Sequence, residues 1–138
     1  MSDRESAVAG APLPRPPTVL LVEGSAVLRE RLARLLAEVP GLAVAEAGSA
    51  AEAVAWLKRQ GADAVVVDVD LAGAADPGVL QLVRRAAPRA LVIAIGAEDS
   101  RELVEFCRGA GADHFFRTHT ESRQIGEALR ALLARSGS

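Results

Sequence analysis

Aromatic side chains are scarce in this chain: three phenylalanines, one tryptophan and no tyrosine among 138 residues. With half of all residues hydrophobic, the core must be aliphatic, built chiefly from Ala, Val and Leu. Cys107 is the single cysteine, which excludes an intrachain disulfide and points to a reducing compartment. No apolar stretch reaches the ~18 residues of a membrane-spanning helix, and the N-terminus lacks the apolar core of a signal peptide. A soluble, cytoplasmic protein is expected. Net charge is only −2, with both signs interspersed, so bulk charge drives no binding to nucleic acid or to a membrane surface. The two histidines, His114 and His119, have a poor spacing for a shared metal, and no cysteine or acid completes a zinc set. Neither G-x-x-x-x-G-K-[ST] nor G-x-G-x-x-G occurs, which argues against nucleotide binding.

What remains is an alternation of two hydrophobic periods. Residues 1–17 hold four of the prolines and no periodic pattern, so they read as an extended or disordered tail. From Thr18 the chain reads as one domain to residue 138, within the size that buries a sufficient core. A continuous apolar run at Thr18–Val22 and the short stretches Leu42–Ala47, Asp63–Val67, Ala90–Ile95 and Ala112–Phe116 predict five strands. Between them, apolar residues recur at helical spacing. They are Val27, Leu28, Leu32, Leu35, Leu36 and Val39, then Ala53, Val54 and Leu57 within Ala50–Gln60. Val79, Leu80, Leu82 and Val83 follow, opened by Pro77 and closed by Pro88. Leu103, Val104 and Phe106 mark a fourth helix over Arg101–Arg108, and Ile125, Leu129, Leu132 and Leu133 a fifth. Five βα units predict an open, doubly wound parallel sheet with helices on both faces. Only Ser136-Gly137-Ser138 follows the last helix, so no effector domain is expected in this chain.

In such a sheet the loops after the strands converge on one edge, where ligands bind. Asp68 follows a run of Ala and three valines that reads as a buried central strand. Glu23 follows strand one, and the pair lies on adjacent central strands by this reading. Two carboxylates held together repel, so they need a cation between them or a raised pKa on one. A hard ion with oxygen ligands, most simply Mg2+, fits that chemistry, with Asp70 as a possible third acid. Ordinary capping and solvated turns are the competing reading. Ser25 is expected to be the N-cap of the first helix rather than part of a phosphate site. Cys107 is expected to be a partly buried hydrophobe, Trp56 to pack where a helix meets the sheet, and both histidines to be solvated or capping.

The segments VLLVEGSAVLRERL, DAVVVDVDLAG, LVIAIGA and GAGADHFFRT together resemble the receiver domain of two-component response regulators, over about residues 18–135. That resemblance implies a flavodoxin-like sheet of order 2-1-3-4-5. It also implies phosphoryl transfer from a histidine kinase to Asp68, because a carboxylate can be the nucleophile when charge on the phosphoryl oxygens is neutralised. Family members hold Mg2+ with two acids after strand one. A lysine after strand five pairs with the phosphoryl group, and a Ser or Thr after strand four hydrogen-bonds it.

By match, this chain keeps Glu23 and Asp68 but has Gly24 at the second acid, Gly96 at the hydroxyl and Thr118 at the lysine, a departure at three of five positions. Ala72 replaces the usual proline of the D-L-A-G turn. Arg117, Asp70 and His119 are the neighbours that could substitute. Phe115 matches the family's switch aromatic, and with Gly96 beside it the ring is expected to sit inward. The reading is an atypical, degenerate receiver with weak or absent Mg2+, no enzyme beyond weak self-phosphorylation at Asp68. It would work through contact with a histidine kinase, another signalling protein or a second copy. The contact face would be helix four, strand five and helix five, carrying Arg101, Glu105, Arg117 and Glu121. Two alternatives stand beside it: a receiver phosphorylated at Asp68 with Mg2+, and a flavodoxin-like small-ligand binder, which lacks an aromatic pair for stacking.

Overall fold

The computed structural model describes residues 16–70, 78–97, 100–118 and 121–136. Five strands and five helices alternate: β1 Thr18–Val22, α1 Ala26–Ala37, β2 Ala43–Ala47, α2 Ala50–Arg59, β3 Ala64–Asp68, α3 Gly78–Ala86, β4 Leu91–Gly96, α4 Arg101–Gly109, β5 His114–Arg117 and α5 Ser122–Ser136. All strands are parallel, in the order β2-β1-β3-β4-β5, so the flavodoxin-like (βα)5 expectation holds. The Pro-rich leader up to residue 15, Leu71 to Pro77 and His119 lie outside the described residues.

The two-residue period of the strands divides the core into two aliphatic layers. Val19 and Leu21 of β1, Ala64 and Val66 of β3, and Ile93 and Ile95 of β4 meet Leu32 and Leu36 of α1 with Ile125 and Leu129 of α5. Their neighbours Leu20, Val22, Val65, Val67, Val92 and Ala94 point the other way, onto α2, α3 and α4 through Ala53, Leu57, Val79, Leu80, Val83 and Cys107. Because β1, β3 and β4 are covered on both sides, their sequences are unbroken apolar runs rather than alternating ones. Trp56 packs half-buried against the second layer, as expected for a helix–sheet boundary. Cys107, expected to be partly buried, is fully buried there, because α4 turns it squarely onto the sheet.

The helices begin where capping chemistry dictates. The Ser25 hydroxyl accepts the Leu28 N–H at 3.2 Å and starts α1, as expected. Ser49 does the same for α2 through the Glu52 N–H, while the Glu52 carboxylate takes the Gly48 N–H at 2.7 Å. Strand five starts at His114 rather than Ala112. Gly111 adopts φ +116°, and the turn it makes delays the ladder until His114 pairs with Ile93. At this lower edge Arg84 of α3 reaches the Gly111 carbonyl at 2.6 Å, the Ala90 carbonyl at 2.7 Å and the Asp113 carboxylate at 3.0 Å.

A candidate phosphoacceptor site at the carboxyl edge

The chain runs from β1 to β2 on one side and then to β3 on the other, so the order reverses between β1 and β3 and opens a crevice there. Val22 is in register with Val67, which places the next residues, Glu23 and Asp68, side by side at the top of that crevice. Asp68 is the last residue of β3, not the first after it, and is 5% exposed; Glu23 is 2% exposed. One oxygen of Asp68 accepts the Asp70 N–H at 2.7 Å. Glu23 Oε2 accepts the Ser25 N–H at 3.0 Å, but Oε1 is buried without a donor. Burial and the neighbouring Asp68 carboxyl push the Glu23 carboxyl up to about 8. At neutral pH it therefore carries a proton, which can join it to Asp68.

Arg29 is the residue that motif matching passed over. Its guanidinium donates to the Glu23 carbonyl at 2.8 Å and pairs with Glu46 of β2 at 3.3 Å. It thus fixes the backbone from which Glu23 projects. Its signal in the sequence was its place on the first turn and a half of α1, six residues beyond Glu23.

The two substitutes among the described residues, Asp70 and Arg117, are engaged elsewhere. Asp70 turns its carboxylate to the Ala97 N–H, with Oδ2 accepting at 3.0 Å, instead of adding a third acid to Glu23 and Asp68. Among the described residues no group of three or more His, Cys, Asp or Glu side chains gathers as a metal site. Arg117 pairs with Glu121, whose Oε1 also accepts the Arg117 N–H at 2.7 Å. Thr118 is buried, and its N–H extends the β4–β5 ladder to the Gly96 carbonyl at 2.9 Å. Gly96 closes β4, and the Phe115 ring lies over it. Phe115 Cζ is 3.1 Å from where a Cβ would stand. His114, expected to be solvated, is half-buried and stacks on Phe116 at 6.2 Å between ring centres.

The oxygens left for a cation are those of the Glu23 and Asp68 carboxyls, including the orphaned Glu23 Oε1, and a cation would take the place of the Glu23 proton. Mg2+ keeps several waters and is commonly held by one or two carboxylates, so this pair fits it, with fewer protein ligands than the family pattern supplies.

A doubly wound sheet with paired acids at its switch point defines a class of signalling and ligand-binding α/β domains. Comparison with known proteins then narrows it. Residues 19–130 match the family model described as the response regulator receiver domain, and the chain belongs to that family. It is 32% identical over 123 residues to the probable transcriptional regulatory protein TcrX of Mycobacterium tuberculosis, covering 89% of this chain and 52% of that protein. A two-component response regulator of the LuxR family from Aurantimonas sp. SI85-9A1 superposes with TM-score 0.77 at 26% identity, covering 86% of each chain. The fold alone is shared with a response regulator from Clostridium difficile, at TM-score 0.78 and 15% identity over 88% of this chain and 99% of that one. The chain spans about half the length of TcrX and of the nitrate/nitrite response regulator protein NarP of Escherichia coli. It is thus a receiver domain of two-component signal transduction, a class of generally non-enzymatic signalling domains that typically bind Mg2+ at the phosphorylation site and interact with histidine kinases or other signalling proteins. No helix among the described residues is long and apolar enough to cross a membrane.

Proposed function

We propose that this receiver is an atypical one, which signals through protein–protein contact and accepts a phosphoryl group at Asp68 slowly or rarely. One observation carries the reading. Asp70 and Arg117, the described residues best placed to replace the missing acid and cation, are engaged by Ala97 and Glu121 instead. Gly24, Gly96 and Thr118 supply no carboxylate, hydroxyl or cation in the family's positions. In phosphoryl transfer an Asp68 oxygen bonds to phosphorus as the donor's P–N bond breaks, and negative charge builds on the phosphoryl oxygens. Charge-assisted hydrogen bonds contribute ~1.5–3 kcal/mol each, so losing two such partners lowers transfer by about a hundredfold or more.

Glu23 and Asp68 would hold Mg2+, which when bound supplies neutralising charge to the phosphoryl oxygens. Arg29 holds the Glu23 backbone, and the Asp70 N–H orients Asp68. The contact face is α4, β5 and α5, where Arg101, Glu105 and Arg123 are exposed and Glu121 is half-buried against Arg117. Both signs of charge occur on it, which suits a signalling protein or a second copy better than nucleic acid. Residues 18–138 form the signalling domain, preceded by a leader, and act in the cytoplasm.

A second reading, a receiver phosphorylated at Asp68 with Mg2+, draws support from the donorless Glu23 oxygen beside Asp68. Incubation with Mg2+ and acetyl phosphate, followed by intact mass, separates the two. The proposal expects almost no adduct. An adduct of one phosphoryl group in nearly every wild-type molecule, lost in Asp68→Asn, establishes the second reading instead.

A further inference from the structure

The loop after β4 is already tied to the loop after β3 by a carboxylate of the protein itself. Asp70 binds both ends of this link. Its N–H donates to Asp68 Oδ1 at 2.7 Å, and its Oδ2 accepts from Ala97, 27 residues away, at 3.0 Å. Ala97 directly follows Gly96, whose carbonyl takes the Thr118 N–H at 2.9 Å, so the tie extends to the top of β5. The Ala97–Asp70 bond is exposed but charge-assisted, and it orders the segment that carries the amide.

Gly96 supplies the second half of the device. A Cβ at this position would lie 3.1 Å from Phe115 Cζ, 3.5 Å from Phe115 Cε2 and 3.2 Å from Val69 Cγ2. A single methyl requires the ring tip to give by a few tenths of an ångström. A β-branched side chain adds two more heavy atoms in the same space, and the ring then has to leave. The inward ring and a β-branched side chain at position 96 exclude each other, and glycine settles the matter in favour of the ring.

We infer that the Asp70–Ala97 tie and the Gly96–Phe115 contact hold the α4–β5 surface in one form whatever the state of Asp68, so that a protein partner of this face meets a permanently presented surface. This rests on the proposal above only in taking that face as the contact surface. Asp70 satisfies the Ala97 amide with the protein's own carboxylate. Phe115 fills with its own ring the space that a side chain at 96 would take.

The test is NMR on the full chain. In the wild type the Ala97 amide exchanges slowly, and Asp70→Ala speeds it by about tenfold or more. Nuclear Overhauser contacts between the Phe115 ring and the Val69 methyls are present with and without Mg2+ and beryllofluoride, a phosphoryl mimic, and are lost in Gly96→Thr. Two results on the wild type alone overturn the inference, so a variant that fails to fold does not shelter it. One is an Ala97 amide that exchanges as fast as an unprotected loop amide. The other is an α4–β5 surface whose resonances move when beryllofluoride and Mg2+ are added. Labelling of Asp68 by acetyl phosphate with those resonances unmoved sinks the atypical reading and supports this one.

Discussion

A buried carboxyl group with one oxygen left without a donor, beside a second acid, has two ways to be stable: it keeps its proton or it meets a cation. Glu23 is in that position, with its carboxyl pushed up to about 8 by burial first and by Asp68 second. The sign of the consequence follows. A folded-state value above the ordinary 4.5 means that the native protein holds a proton the unfolded chain has released. The stabilisation is therefore complete below the unfolded value and is lost as pH rises through about 8. With chelator present, the wild type should lose up to about 1.4 kcal/mol of stability per pH unit in that window from this group. Glu23→Gln, which keeps the shape and places an N–H2 where the proton was, should flatten the slope and be the more stable protein above pH 8. Urea midpoints at pH 5, 7 and 9 for the two proteins check this. Parallel curves would mean that Glu23 is ionised throughout.

At the scale of elements, β1, β3 and β4 follow from sequence because a doubly covered strand has no polar side to show, so each apolar run marks itself. Helix starts are equally legible where a serine stands three residues before the N–H it caps, as at Ser25, Ser49 and Ser100. The lower edge is not legible. Arg84 looks like one more surface arginine on α3, yet it joins α3, the approach to β4 and the turn before β5 through three carbonyl and carboxylate partners within 3.0 Å. Gly111 allows this approach, since a Cβ there would lie 3.1 Å from Arg84 Cβ and Cγ. Arg84→Ala leaves these acceptors without their cation and should lower stability by about 2–3 kcal/mol in urea unfolding. Arg84→Lys should recover less than half of that, because a single ammonium cannot span the three directions of the guanidinium fork. Full recovery by lysine would show that charge alone matters here.

For the molecule as a whole, Glu23 and Asp68 meet because the β1–β3 register puts them there, and that much was legible from the acids ending two central strands. Whether neighbours repair the depleted site was not, because the answer lies in contacts between loops far apart in sequence. The Asp70 carboxylate could be matched to a role, but its attachment to Ala97 exists only once β3 and β4 lie together. The repair should therefore be possible by design at the positions that lack chemistry. Gly24→Asp returns a carboxylate beside Glu23. Thr118→Lys places an ammonium at the end of β5, on a stem long enough to run along the apolar wall and bring its charge to the edge. Each group restores a charge-assisted contact of ~1.5–3 kcal/mol, so the double variant should label with acetyl phosphate and Mg2+ on the order of a hundredfold faster than the wild type. Each single variant should give only part of that gain, since the metal and the cation neutralise different oxygens. Adding Asp68→Asn to the double variant must abolish the labelling. A double variant that folds and still labels no faster would show that something other than these two absences sets the rate at Asp68, and the Asp70–Ala97 tie would then be the next contact to break.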